Sequence, residues 1–213
     1  MLKNINIIKS NLKEDTLLVG VSKYHTIDEI DNAFSCGIDT FGENHVQELV
    51  KKYTPKYKWH FIGHLQTNKV KSLLPVVDMI ESLDSIKLAK EIQKEASKIN
   101  KIIPVLIQVN ISNEEQKYGF RLEEVIDVAN IIFENMSNIK IEGLMCIASD
   151  SDDYDLVSSQ FKSMQDKYIE FKDLYPDDIK YLSMGMSNDY KLALKYGSNI
   201  VRIGTMIFGE RSY

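Results

Sequence analysis

The sequence predicts an α/β protein built as a closed (β/α)8 barrel of the TIM type. Eight short apolar segments alternate with stretches of helical periodicity, and no long linker or low-complexity tract interrupts the alternation. At 213 residues the chain lies near the lower limit for such a barrel, which leaves a single domain over 1–213. An open, doubly wound sheet is the alternative, but neither a G-x-G-x-x-G nor a Walker A motif follows the first strand.

The elements follow one another in a regular order. Apolar residues at near-helical spacing predict a helix within residues 1–13, ahead of the first strand. Predicted strands lie at 17–23, 38–41, 58–62, 76–81, 102–110, 140–147, 181–183 and 200–203. Predicted helices lie at 27–36, 45–52, 65–73, 85–99, 122–136, 154–174 and 188–196. Thr26 and either Asp84 or Ser85 can cap two of these helices, and Gly37 follows the end of the first.

Composition excludes several classes of function. A net charge of −5 with a pI near 5.5 argues against an electrostatic nucleic-acid binder. The two cysteines, Cys36 and Cys146, form no CxxC pair, so neither a zinc site nor a disulfide framework is indicated. No segment has the roughly 18 apolar residues needed to span a bilayer, and the amino terminus lacks a signal-peptide pattern. We therefore expect a cytoplasmic, monomeric protein without membrane or nucleic-acid partners.

A lysine closes the first predicted strand. Leu17 to Ser22 is mainly apolar, and Lys23 follows directly. The carboxyl ends of strands face the ligand in parallel α/β proteins, so a lysine there can pair with an anion or form a Schiff base with a carbonyl compound. The alternative is a lysine that leaves the strand and reaches water.

Small and hydroxyl residues follow the seventh and eighth strands. Ser183-Met184-Gly185-Met186-Ser187 and Arg202-Ile203-Gly204-Thr205 stand where barrel proteins often bind phosphate. Two ordinary turns would also account for this composition. A lysine facing a phosphate site suits a phosphorylated aldehyde, and pyridoxal 5′-phosphate (PLP) is the common biological example. Arg202 is then a candidate for the pyridine nitrogen, with a salt bridge at the barrel rim as the alternative.

Several segments together resemble one known family. They are VSK at 21–23, FGENHVQE at 41–48, WHFIGHLQTNK at 59–69, IEGLMCI at 141–147, LSMGMSND at 182–189 and GSNIVRIGTMIFGER at 197–211. The chain resembles the pyridoxal phosphate homeostasis protein family over about residues 17–211. The resemblance implies a modified TIM barrel like the amino-terminal domain of alanine racemase, known as PLP fold type III.

The resemblance also implies roles for particular residues. Lys23 of the VSK motif would carry PLP as a Schiff base, and Asn44 would lie beside the cofactor. Ser183, with Ser187 as the alternative, would bind the phosphate together with Gly204 and Thr205, and Arg202 would lie near the pyridine nitrogen. After Lys23 the chain has Tyr24-His25-Thr26, where many members of the family have a threonine and a nearby proline. This departure puts the start of the first barrel helix in doubt.

Other polar residues have weaker claims to a role. His60 and His64 flank Gly63, but the sequence offers no neighbouring acid or cysteine to complete a metal site, so we expect none. Lys69 and Lys117 could attract an anionic ligand to the barrel mouth, although solvated surface lysines are the simpler interpretation.

Two functions compete at this point. A non-catalytic protein that holds PLP and supports vitamin B6 homeostasis is what the resemblance implies, with apo forms of PLP-dependent enzymes as possible recipients. The alternative is an amino-acid racemase, which needs an acid or base on each face of the cofactor. In the alanine racemase fold a tyrosine from a separate β domain of a partner chain supplies the second base. No such domain is recognisable in this sequence, although Tyr24 or His25 could substitute, and we expect the carrier.

Overall fold

The predicted barrel is present in the computed structural model, which describes residues 1–209. Within these residues eight parallel strands pair in chain order, and β1 pairs with β8 to close the barrel. The strands are β1 Leu17–Val21, β2 Thr40–Glu43, β3 Lys58–Phe61, β4 Met79–Leu83, β5 Ile103–Val109, β6 Ile139–Cys146, β7 Tyr181–Ser183 and β8 Ile200–Ile203. Closure leaves no exposed strand edge and brings all eight carboxyl ends to one face.

Helices connect successive strands around the outside. They are α1 Leu2–Lys9, α2 Ile27–Ser35, α3 Val46–Lys52, α4 Val70–Leu73, α5 Ile86–Lys98, α6 Val125–Asn135, α7 Tyr154–Leu174, α8 Tyr190–Lys195 and α9 Thr205–Phe208. Short 3-10 turns at Thr67–Lys69 and Leu122–Glu124 precede α4 and α6. The predicted caps form: Thr26 makes a capping box with Glu29, and Ser85 caps α5. The departure from the family at Tyr24-His25-Thr26 therefore leaves the start of α2 regular.

Apolar side chains fill the amino-terminal part of the barrel interior. Val19, Met79, Leu106, Met145 and Ile200 form a cluster of their own, each at most 6% exposed. A larger cluster packs the outer face of the strands against the helices. Polar side chains occupy the interior nearer the carboxyl ends, where Glu81, Ser183 and Arg202 are buried. The apolar layer closes the barrel floor and leaves the carboxyl face for a site.

Some predicted boundaries are wrong. β1 ends at Val21, so Lys23 lies in the turn that follows and not within the strand. β2 and β4 begin later than predicted and continue through Glu43 and Glu81, both fully buried. A charged residue normally marks a strand end, but here each carboxylate has buried partners that allow the strand to continue through it.

The carboxyl-terminal part adds a helix that the periodicity did not predict, α9, directly after β8. The family-like segment at 197–211 extends two residues beyond the described part of the chain. Between residues 1 and 209, no helix is long and apolar enough to cross a membrane.

Candidate functional site

Cavities open among the described residues where the strands end. The first, here called the lysine cavity, has a volume of about 360 Å³ and is lined by Lys23, Asn44, Gly63, His64 and Lys69, among others. The second, the serine cavity, has about 240 Å³ and is lined by Ser187, Arg202, Gly204 and Thr205, among others. The third, the central cavity, has about 290 Å³ and shares Asn44, Gly63 and His64 with the lysine cavity.

Lys23 lies in the turn between β1 and α2. Its side chain is half-buried, and its Nζ lies 4.7 Å from the centroid of the Tyr24 ring. Tyr24 has a φ of 69°, the left-handed conformation that non-glycine residues rarely adopt. Lys23 lines the lysine cavity, whereas Ser187, Gly204 and Thr205 of the predicted phosphate site line the serine cavity.

A group of charged residues surrounds this turn. Glu43 Oε1 accepts from Ser22 Oγ at 2.8 Å and from Lys52 Nζ at 2.7 Å. Glu48 Oε2 accepts from Lys52 Nζ at 3.1 Å and from the Tyr24 backbone N–H at 3.0 Å. Burial raises the pKa of the Glu43 carboxyl above its usual value, although Lys52 opposes the shift.

Arg202 is held inside the barrel by other residues of the strands. Its Nη1 donates to Ser183 Oγ at 2.6 Å, and its Nη2 donates to the Cys146 carbonyl oxygen at 2.9 Å. Ser183 in turn donates to Glu81 Oε2 at 2.6 Å, and the Arg202 guanidinium lies 3.9 Å from the same oxygen. The guanidinium is 3% exposed and still lines the serine cavity.

Glu81 provides the negative charge of this network. Its Oε1 lies 2.6 Å from His60 Nδ1, which must carry the proton because an ionised carboxylate only accepts. Burial alone would raise the pKa of Glu81, but the hydrogen bond from His60 and the charges of His60 and Arg202 hold it below its usual value. The Arg202 charge is therefore balanced within the barrel before any ligand arrives.

The serine cavity contains hydrogen-bond donors that other residues do not use. Ser187 is half-buried at its wall, beside Gly204 and Thr205. Within residues 1–209, the backbone N–H groups of Ser187 and Asn188 make no hydrogen bond. Unused N–H groups together with two hydroxyls form a suitable site for a phosphate. Ser183 is fully buried and does not line this cavity, so the geometry favours Ser187 over Ser183.

Asn44 lies between the lysine and central cavities. Its Oδ1 is buried and has no hydrogen-bond partner in the described chain. Gly63 packs so closely that a Cβ there would lie 2.4 Å from the Asn44 carbonyl oxygen. Asn44 therefore keeps an acceptor available to a ligand, and a glycine at 63 fixes where its backbone lies.

The two histidines have partners that the sequence did not predict. His64 Nδ1 lies 2.6 Å from Asp84 Oδ2, and its ring stacks on Tyr118 with centroids 3.6 Å apart. His60 is part of the network with Glu81. Among the described residues, no three His, Cys, Asp or Glu side chains group together as a metal site.

The predicted basic residues lie at the mouth. Lys69 lines the lysine cavity and makes no ion pair with a described residue. Lys117 lines the central cavity, where it pairs with Glu114 at 2.7 Å and donates to the Ala148 carbonyl oxygen. Lys69 thus retains an unpaired positive charge at the opening.

The two cysteines should differ sharply in reactivity. Burial raises the pKa of the Cys146 thiol to about 12, whereas Cys36 is partly exposed. Since the thiolate is the reactive form, we expect an aromatic disulfide reagent at about pH 8 to modify Cys36 rapidly and Cys146 only after unfolding. Counting modified thiols with and without denaturant measures this. Rapid modification of both thiols in the folded protein would contradict the burial of Cys146.

The charged residues that support the site were not predicted from the sequence. Glu43, Glu48 and Lys52 lie within and after FGENHVQE, and Glu81 lies in an apolar strand. A carboxylate inside a buried strand is itself a signal, since such residues are almost never fully buried without a partner. That signal identifies Glu43 and Glu81 as paired residues but does not name their partners.

Comparisons with known proteins identify the family of the chain. The family described as "Alanine racemase, N-terminal domain" matches residues 1–212. A pyridoxal phosphate homeostasis protein of Aquifex aeolicus is 42% identical over 200 residues, covering 92% of this chain and 87% of the relative. One from Pongo abelii is 38% identical and covers 92% of this chain and 77% of the relative.

Solved structures of similar fold include a PLP-bound relative and an alanine racemase. PipY of Synechococcus elongatus PCC7942, determined with PLP bound, has a TM-score of 0.88 at 28% identity and covers 98% of this chain and 99% of its own. Alanine racemase of Clostridium difficile 630 has a TM-score of 0.76 at 18% identity, covers 100% of this chain and 57% of its own, and shows the shared fold alone. The chain therefore belongs to the alanine racemase N-terminal domain family, as a member of its pyridoxal phosphate homeostasis proteins.

Proposed function

We propose that this protein binds PLP at the barrel mouth, with Lys23 forming a Schiff base to the cofactor aldehyde. The observation that carries the proposal is that an amine, a set of unused N–H donors and a guanidinium lie on neighbouring strands of the barrel and the turns after them, with Lys23 after β1, the donors after β7 and Arg202 on β8. PLP presents an aldehyde, a phosphate and a pyridine nitrogen, which match these three groups. The PLP-bound relative PipY, at 28% identity over nearly the whole chain, supports the proposal.

The serine cavity is the proposed phosphate site. Ser187 and Thr205 would donate their hydroxyls, with Gly204 and the backbone N–H groups of Ser187 and Asn188 beside them. Charge-assisted hydrogen bonds of this kind are stronger than neutral ones. The unpartnered Asn44 Oδ1 would accept a hydrogen bond from the cofactor in the lysine cavity.

Arg202 would face the pyridine nitrogen. When bound, PLP supplies an electron-withdrawing ring, which is strongest when that nitrogen is protonated. A guanidinium only donates, and Glu81 and Ser183 keep it in place. Arg202 therefore favours the unprotonated nitrogen, in which state the ring withdraws electrons less strongly.

We propose that the protein is a carrier for PLP and not a racemase. The relatives' names as homeostasis proteins support this. The contacts of the two candidate second bases also support the carrier. His25 is already engaged, since its Nδ1 lies 3.2 Å from Glu29 and its ring stacks on Phe208 with centroids 4.4 Å apart. Tyr24 lies against Lys23 itself. A racemase would need a group on the opposite face of the cofactor.

The test of PLP binding is a visible absorption spectrum before and after borohydride. We expect an imine band with PLP that reduction fixes to the peptide containing Lys23, and no band with Lys23→Ala. L-alanine is then added to the loaded protein and its D-isomer is measured. Absence of the band would overturn PLP binding by Lys23, and sustained formation of D-alanine would replace the carrier by the racemase.

The test of the carrier role uses an apo form of a PLP-dependent enzyme as acceptor. Loaded protein and free PLP are compared at equal total PLP, and regained enzyme activity is followed with time. The proposal predicts faster or more complete activation by the loaded protein when a phosphatase competes for free PLP. Equal activation in both arms would argue against delivery.

Replacing the serine-cavity hydroxyls should weaken PLP binding moderately. Loss of one hydrogen bond to a charged group is worth about 1.5–3 kcal/mol, so we expect roughly 10- to 100-fold weaker binding for Ser187→Ala. Ser183→Ala removes buried bonds to Glu81 and Arg202 and should mainly lower Tm. Fluorescence titration with PLP and thermal unfolding separate the two effects. If Ser183→Ala weakens PLP binding and Ser187→Ala does not, the phosphate is assigned to Ser183.

A further inference from the structure

Both peptide groups that flank Lys23 are bound by side chains from α3. The carbonyl oxygen of Ser22, which precedes Lys23, accepts from Lys52 Nζ at 2.9 Å. The N–H of Tyr24, which follows Lys23, donates to Glu48 Oε2 at 3.0 Å. Residues 48 and 52 are one helical turn apart, so α3 fixes the backbone on both sides of one lysine.

The same side chains are fixed to each other and to the barrel. Lys52 Nζ also pairs with Glu43 on β2 and with Glu48, and Ser22 Oγ donates to Glu43. Glu43 is fully buried and the Lys52 side chain is 11% exposed. A buried ion cluster of this kind contributes little net stability compared with apolar residues of the same size. Its presence is therefore better explained by the geometry that it imposes.

The turn needs such restraint. Tyr24 takes the left-handed conformation with φ 69°, which costs of order 1 kcal/mol or more for a non-glycine residue. A free turn would relax toward ordinary backbone conformations, and the direction of the Lys23 side chain would change with it. The hydrogen bond between Tyr24 N–H and Glu48 opposes that relaxation directly.

We infer that Glu48 and Lys52 on α3, together with Glu43 on β2 and here called the α3 clamp, are positioning residues that hold the turn so that the Lys23 side chain lines the lysine cavity. The inference rests on the proposed function, because it assigns the clamp to the lysine that would bind the cofactor aldehyde. Glu48 and Lys52 bond to the backbone of the turn, Glu43 bonds to the Ser22 hydroxyl and to Lys52, and none of the three bonds to the lysine amine. It therefore acts through Lys23.

The test compares Lys52→Met with Lys101→Met. Lys101 is a matched control, since its half-buried Nζ also holds two carbonyl oxygens, those of Leu74 and Val77 at 2.8 and 2.7 Å, remote from the turn. The first readout needs no cofactor: amide hydrogen exchange of the peptide covering residues 22–25. We expect exchange at Tyr24 to rise at least roughly 10-fold in Lys52→Met and to stay unchanged in Lys101→Met.

The second readout is the equilibrium constant for imine formation with PLP, measured at a temperature where both variants are folded. We expect roughly a 10-fold loss in Lys52→Met, about 1.4 kcal/mol, and no loss in Lys101→Met, although both lower Tm. Equal exchange and equal imine constants in the two variants would overturn the clamp. If wild-type protein forms no imine, the proposed function fails, and the exchange result alone still decides whether the clamp restrains the turn.

Discussion

Glu81→Gln should lower the free energy of unfolding by about 3 kcal/mol at pH 7, because it leaves the buried Arg202 guanidinium without a balancing charge. Gln keeps the size of the side chain and can still bond to Ser183 and His60, so the loss reflects the charge. For a chain of this length the Tm should fall by about 6–12 °C. Urea unfolding and calorimetry measure both quantities.

The effect should depend on pH in a definite direction. The pKa of Glu81 is lowered in the folded protein below its usual value of 4.5, so its charge stabilises the fold above that pH. This stabilisation is lost as the pH falls through the lowered folded pKa, where Glu81 takes up a proton. The difference between wild type and variant should therefore be full at pH 7 and shrink below about pH 4.5.

A surface variant provides the control. Glu91 pairs with Lys94 on the exposed side of α5, and Glu91→Gln should change stability by less than about 1 kcal/mol. Two results would contradict the assignment of Glu81. One is a loss as small as that of Glu91→Gln, and the other is a difference that stays constant down to low pH.

Strand and helix order follows from periodicity, but the boundaries at the site do not. Parallel strands are buried on both faces and read as continuous apolar runs, so a glutamate inside one was interpreted as its end. Glu43 and Glu81 stay in their strands because Lys52, Ser22, His60 and Ser183 reach them from other elements. These contacts join residues far apart in the chain, which a local pattern does not contain.

The choice between the two serines shows the same limit. Ser183 and Ser187 lie in one small-residue segment, and composition treats them alike. The barrel separates them, since Ser183 ends β7 facing Glu81 while Ser187 lies in the following turn at the serine cavity. Lys23 was predicted because one lysine directly after a buried strand is unusual. The α3 clamp that holds its turn has no such local signal.

Gly63→Ala should weaken PLP binding and destabilise the fold together. A Cβ at residue 63 would lie 2.4 Å from the Asn44 carbonyl oxygen and 2.7 Å from its Cα, so the backbone of Asn44 must move. Overpacking against a backbone costs about 1–3 kcal/mol, and we expect about 2 kcal/mol here. The displaced Asn44 Oδ1 would no longer be placed for the cofactor, so PLP titration should show roughly 10-fold weaker binding.

Asn44→Ala separates the two consequences of that displacement. It removes the unpartnered amide but leaves the backbone and Gly63 in contact as before, so PLP binding should weaken while Tm changes little. If Asn44→Ala binds PLP as wild type does, the amide has no part in the site. If Gly63→Ala keeps both its Tm and its affinity for PLP, the backbone at Asn44 tolerates the shift, and the close approach of the segment after β3 to the β2–α3 loop does not determine the site.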